Sequence, residues 1–176
     1  MSITVTVACG DEAAEVAAVA AATFPLACPP TADPVDIESA IAANLSAHRF
    51  AEYLADPQRV ILVARDDGRI VGYCMLIRGI GDDPDIAPAV QRRPAIELSK
   101  MYVLASHHRS GASAELMQSA IAWAADSGAE AVWLGVNQNN ERAQRFYRKH
   151  GFTTTGSRRF RLGDSYEDDF VMVRLV

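Results

Sequence analysis

Apolar and polar positions alternate over residues 3–8, which predicts a first strand. Gly10 and Asp11 then open a helix, with Asp11 as N-cap, that runs to about Thr23 and is broken by Pro25, Pro29 and Pro30. A second helix begins at Asp33 with an apolar stripe of Ile37, Ile41 and Leu45, and a short third one spans residues 48–55. Two continuous apolar runs follow, 60–64 and 70–77, with Asp67-Gly68 between them. That composition predicts an antiparallel hairpin. Residues 79–94 carry Asp82, Asp83, Asp85 and three prolines, and read as a long irregular loop of the kind that is often functional or mobile.

The second half is more regular. A strand over 96–104 leads through polar residues 107–110 into a helix over about 111–127, striped by Leu116, Met117, Ala120, Ile121 and Ala124. A buried strand at 131–136 precedes a helix at 140–150 with Ala143, Phe146, Tyr147 and His150 on one face, and Gly151 is placed to stop it. Two closing strands, 152–162 and 169–175, are joined through Gly163-Asp164. The strand–helix–strand unit around residue 111 implies a parallel pair with a right-handed crossover inside a mixed sheet, an α/β (α+β) fold. The length of 176 residues fits a single domain over 1–176.

Composition changes this picture mainly by exclusion. Net charge is −5 and the one basic cluster is Arg158, Arg159 and Arg161, so no nucleic acid partner is expected. No apolar stretch is long enough to span a bilayer, and the first residues lack the basic and apolar regions of a signal peptide, so no membrane association is expected. Cys9, Cys28 and Cys74 form no metal-ligand spacing and read as reduced thiols of a cytoplasmic protein.

Two segments carry chemistry. In the first, the strand at 96–104 turns through His108, Arg109, Ser110, Gly111, Ala112 and Ser113 into a helix. Free amide N–H groups and small residues there suit a pyrophosphate, and Arg109 adds a cation; the same spacing also fits an ordinary turn with a capping serine. Walker and dinucleotide-fingerprint glycine patterns are absent. In the second, residues 140–152 read NERAQRFYRKHGF.

Both segments resemble the GNAT family of N-acetyltransferases. The first is similar to its R/Q-x-x-G-x-G/A loop, with His108 in place of Arg or Gln, Gly111 matching, and Ser113 in place of the second small residue. The second matches N-x-x-A-x-x-F-Y-x-K-x-G-F at every fixed position. Residues 97–103, Trp133-Leu134-Gly135-Val136, and the segments 160–164 and 169–172 further resemble the bacterial spermine/spermidine acetyltransferase type. The likeness covers the chain from about Ile96 to its end, and the first 95 residues loosely. It implies a mixed, mostly antiparallel sheet flanked by helices, whose splayed parallel pair binds acetyl-CoA as cosubstrate. The implied contacts to the cofactor are Met101, Tyr102, Val103, His108, Arg109, Ser110, Gly111, Ala112, Ser113, Asn137 and Asn140.

The implied activity is transfer of an acetyl group to a primary amine, a polyamine or another small molecule, by direct attack. A protein N-terminus or lysine as acceptor, or a non-catalytic acetyl-CoA-binding module, are the alternatives. Tyr147 would protonate the departing thiolate, or is a core residue with a satisfied hydroxyl. Glu97 would act as base through a water, or pairs with a surface cation. Acceptor candidates are Asp82, Asp83 and Asp85, the run Glu167, Asp168 and Asp169, and Phe24, Glu38 and Tyr53. Members of the family commonly dimerise, so a homodimer is a further implied expectation.

Overall fold

A computed structural model describes residues 2–162 and 164–176, with the side chains of Phe160 and Leu162 outside that description. In chain order the elements are β1 (Ile3–Val7), α1 (Ala13–Ala27), α2 (Pro34–Asn44), α3 (Ala47–Ala55), β2 (Arg59–Asp66), β3 (Arg69–Arg78), α4 (Ile86–Ala89), β4 (Ala95–Val103), α5 (Ala112–Asp126), β5 (Ala131–Asn137), α6 (Glu141–Lys149), β6 (Thr153–Leu162) and β7 (Ser165–Leu175). The strands form one seven-stranded sheet in the order β1-β2-β3-β4-β5-β7-β6. Every pairing is antiparallel except β4 with β5. The expected mixed, mostly antiparallel sheet with one parallel pair is therefore what the chain adopts. Among the described residues no helix is long and apolar enough to cross a membrane.

Helices cover both faces, which explains why β2 and β3 read as unbroken apolar runs. On one face α5 sets Leu116, Met117 and Ala120 against Leu62, Ala64, Cys74, Leu98 and Leu134. On the other, α1 and α3 set Val16, Ala20 and Phe50 against Ile61, Val63, Tyr73 and Met75. Successive residues of β2 thus serve opposite cores. The β2–β3 turn places both Asp67 and Gly68 at positive φ, 51° and 79°, as a tight hairpin of matching twist requires.

Three local expectations need correction. First, Pro25 does not end the first helix, which continues to Ala27. Proline in a last turn forfeits a single backbone bond, and the buried Thr23 and half-buried Phe24 keep that turn docked. The helix also starts later, after a 3₁₀ turn over Gly10–Glu12 in which the Glu12 carboxylate accepts from the Cys9 N–H. Second, the loop over 79–94 holds α4, and Ile86, Ala89 and Val90 bury against Ala131, Trp133 and Val171. It is a packed segment, because its apolar residues outweigh its exposed aspartates. Third, β7 begins at Ser165 rather than Asp169. The expected Gly163-Asp164 connection lies in part outside the described residues, since Gly163 does.

Two irregularities position the site. The β4–β5 ladder closes only three pairs, Ala95 with Ala131, Ile96 with Val132 and Glu97 with Trp133. Beyond them both strands continue without pairing and leave a gap in the sheet. Within β4 a bulge at Ser99 shifts the register, so that Leu98 opposes Leu76 while Lys100 opposes Met75. Strict alternation would put Glu97 and Lys100 on opposite faces; the extra residue brings them to the same one. Glu97, Lys100 and Tyr102 thereby share the α1 face, and Leu98, Met101 and Val103 share the α5 face.

Candidate active site

A cleft of about 610 Å³ passes through the gap between β4 and β5 and opens on both faces of the sheet. On the α5 face its floor is the turn into α5. Gly111 adopts φ 86°, a left-handed conformation that glycine reaches without steric cost, and has open space where a Cβ would stand. Among the described residues the backbone N–H groups of Gly111, Ser113 and Ala114 make no hydrogen bond. These free donors at a helix N-terminus fit a diphosphate group. Ser110 spends its hydroxyl on the turn itself, donating to the His107 carbonyl at 2.7 Å and accepting from the Ala112 N–H at 3.2 Å.

The structure divides the expected cofactor residues. Met101, Tyr102, Val103, His108, Gly111, Ser113, Asn137 and Asn140 line the cleft. Arg109, Ser110 and Ala112 do not: Arg109 is exposed beside the turn, Ser110 braces it, and the Ala112 methyl is buried in the core. His108 bridges two elements, its Nε2–H donating to the Val103 carbonyl at 2.9 Å and its Nδ1 accepting from Arg142 at 3.4 Å. Arg142, at an unspecified position of the helix pattern, therefore reaches the cleft as its cation on this face.

Helix α6 is held against the gap by two amides. Asn140 caps it, Oδ1 accepting from the Ala143 N–H at 3.1 Å, a contact of about 1 kcal/mol. Gln144 is buried and donates to the carbonyls of Asn137 and Gln138 at 3.1 and 3.0 Å, tying the end of β5 to the helix. The sequence pattern left position 144 open, and only its burial identifies it. Tyr147 then lines the cleft, packed edge-on against Phe146 and Phe152 with ring centroids 5.6 and 5.9 Å away. Burial pushes its phenol up to about 12, so it stays protonated at neutral pH.

The α1 face is charged and crowded. Arg158 of β6 crosses β7 and β5, with Nε 3.4 Å from Asp169 Oδ2 and Nη1 3.9 Å from Glu97 Oε2, and its guanidinium lies 5.7 Å from the Trp133 ring. It fits there because β5 has Gly135 beneath it; any Cβ at that position would collide with the guanidinium. Burial raises the Glu97 carboxyl, against the pull of Arg158, Lys100 and Arg59. Burial likewise raises Asp169, to about 6, even though Arg158 favours its charged form. Lys100 is pushed down by burial, opposed by Glu97. Phe24 of α1 and Cys28, which follows the helix, wall this side, with the Phe24 ring edge-on to Tyr102 at 6.4 Å.

Of the expected acceptor residues, Phe24, Glu167 and Asp169 line the cleft, and Asp82, Asp83, Asp85, Asp168, Glu38 and Tyr53 do not. Tyr53 instead donates its hydroxyl to the Asn44 carbonyl at 2.8 Å. Glu97 lies in the cleft and faces Arg158, which is itself largely covered rather than a surface cation.

Comparison with known proteins decides the family. The model of the Acetyltransferase (GNAT) family matches residues 25–152. This chain belongs to the GNAT family of acetyltransferases. It is thus an acyltransferase. An uncharacterized N-acetyltransferase of Mycobacterium tuberculosis is 60% identical over 163 residues, 93% of this chain and 97% of the relative. One from Lactobacillus delbrueckii subsp. lactis is 24% identical over 79% of this chain and 78% of its own. Among solved structures, the PaiA N-acetyltransferase of Thermoplasma acidophilum, in complex with coenzyme A, superposes with a TM-score of 0.80 at 18% identity over 100% of both chains. The ribosomal-protein-S18-alanine N-acetyltransferase of Escherichia coli gives 0.69 at 16% identity, over 99% of this chain and 94% of its own. At those identities the likeness is one of GNAT fold.

Proposed function

We propose that this enzyme transfers the acetyl group of acetyl-CoA to a primary amine of a small molecule, a polyamine being the finer reading. The observation that carries it is the unpaired gap between β4 and β5, with free α5 amides on one side of the sheet and the carboxylates of Glu97, Glu167 and Asp169 on the other.

When bound, acetyl-CoA supplies an acetyl thioester. The amides of Gly111, Ser113 and Ala114, with Arg142 beside them, would hold its diphosphate. The exposed edge of β4 at Met101, Tyr102 and Val103, and the amide of Asn140, would orient the arm, and the coenzyme A held by the PaiA structure supports this side of the reading. Tyr147, kept protonated, would give its proton to the leaving sulfur. An alkylammonium titrates near pH ~10.4, so a proton acceptor must free its lone pair, and the carboxylates of the α1 face supply candidates. Glu97, Glu167 and Asp169 on that face suit a polycation. The family resemblance also supports a homodimer, and the free thiols of Cys9, Cys28 and Cys74 accord with a reducing, cytoplasmic setting.

Thermal melting with and without acetyl-CoA tests the cofactor half. A rise in Tm with ligand concentration is expected, and no rise at millimolar ligand contradicts it. A thiol-release screen over polyamines, amino acids, aminoglycosides and peptides tests the acceptor half. Turnover with spermidine supports the finer reading, and turnover confined to peptides replaces it.

A further inference from the structure

We infer that Asp169, rather than Glu97, is the group that takes the proton from the acceptor amine. This rests on the acetyl-transfer reading above and assigns a role that reading leaves open.

Position separates the two carboxylates. Glu97 stands at the last closed pair of the β4–β5 ladder, opposite Trp133. Asp169 opposes Asn137, four residues further along β5, where the two strands have parted. At a strand rise of about 3.3 Å per residue the backbone at Asp169 stands roughly 13 Å nearer the open end of the gap, while Arg158 draws the two carboxylates toward each other, its Nε 3.4 Å from Asp169 Oδ2 and its Nη1 3.9 Å from Glu97 Oε2. Tyr147 lines the same cleft from the α6 side.

Surroundings separate them too. Burial raises the Glu97 carboxyl too, but three cations, Arg158, Lys100 and Arg59, oppose that rise. Asp169 faces one, Arg158 of β6, and is flanked on β7 by Glu167 and Asp168, with the Tyr102 phenol facing it from β4. Cys28, just past the end of α1, borders Glu167 and Tyr102. Asp169 is also one of the few buried polar side chains, at 5% exposure, and an ionised carboxyl is costly there. Its proton affinity near pH 6 is that of a base loaded and discharged around neutrality.

The step balances. Asp169 takes one proton from the ammonium and frees the nitrogen lone pair. The nitrogen bonds the acetyl carbon as the carbon–sulfur bond breaks and its electron pair goes to sulfur. The second nitrogen proton replaces the one that Tyr147 gives to sulfur, and Asp169 releases its own to solvent. Arg158 is a positioning residue: it fixes Asp169 and keeps its affinity from rising further.

The pH dependence of kcat/KM, with acetyl-CoA and the best amine of the screen, tests this. In the unaltered enzyme the rate climbs as pH rises through about 6, because Asp169 must be ionised to accept a proton. Asp169→Asn should lower kcat by about 10²- to 10⁴-fold and abolish that limb, while acetyl-CoA still raises Tm as before. Asp169→Glu should restore part of the rate. Glu97→Gln should keep the limb. Should Asp169→Asn not fold, Arg158→Gln made in the Glu97→Gln background gives the second test: with Glu97 neutral, the limb moves to higher pH if Asp169 carries it. A limb that persists in Asp169→Asn, or vanishes in Glu97→Gln, or stays fixed in that double variant, overturns the assignment. An enzyme that acetylates no amine at all overturns the transfer reading instead.

Discussion

The two faces of the sheet are built by opposite logics. On the α5 face the cleft is lined by backbone: free amides at one helix N-terminus, an unpaired strand edge and a capped helix, all contributed by two short continuous stretches of chain. On the α1 face it is lined by side chains that come from α1, β4, β6 and β7, and whose charges are settled by one another. The first arrangement suits a ligand shared across a family, since backbone tolerates substitution. The second suits whatever is particular to this enzyme, because a single exchange at Arg158 or Asp169 resets the whole set.

Substitutions can pull the faces apart. Tyr147→Phe, which removes the hydroxyl at the gap itself, should lower kcat by about 10²- to 10³-fold with little change in acetyl-CoA affinity; steady-state kinetics alongside calorimetry read both. Gly135→Ala comes next. Its methyl must displace the Arg158 guanidinium, so the KM for the amine should rise by about tenfold while cofactor binding is unaltered. Gly111→Ala acts on the other face: the left-handed backbone costs an alanine about 1 kcal/mol, and acetyl-CoA affinity should fall by about fivefold with no effect on amine selectivity. The smallest effect belongs to Asp66→Asn. Asp66 accepts from His107 at 2.9 Å and so ties the turn before α5 to β2. Loosening that tie should weaken acetyl-CoA binding by about two- to threefold and leave kcat unchanged. A Gly135→Ala enzyme that loses cofactor affinity, or a Gly111→Ala enzyme that changes its choice of amine, would show that the faces are not separable.

The same contrast explains what the sequence makes legible. Residues 140–152 announce themselves because capping, helix face and stop lie in a row, and the turn at 108–113 follows its strand directly. The hairpin at Asp67-Gly68 is equally local. The acceptor face has no such signature. Glu97 and Arg158 meet across two intervening strands, β5 and β7, and Lys100 joins them only because of the bulge at Ser99. Neither strand order nor a bulge leaves a mark in hydrophobic periodicity. The loop over 79–94 misleads for a related reason: its aspartates dominate composition, whereas Ile86 and Val90 decide where it sits.

Acetyl transfer to an amine is tested most directly by one assay: free thiol and acetylated amine followed together, in a reaction of the intact protein with acetyl-CoA and spermidine. The two products should appear in equal amounts, with the rate rising as pH passes through about 6. Thiol release without an acetylated amine would contradict the central claim.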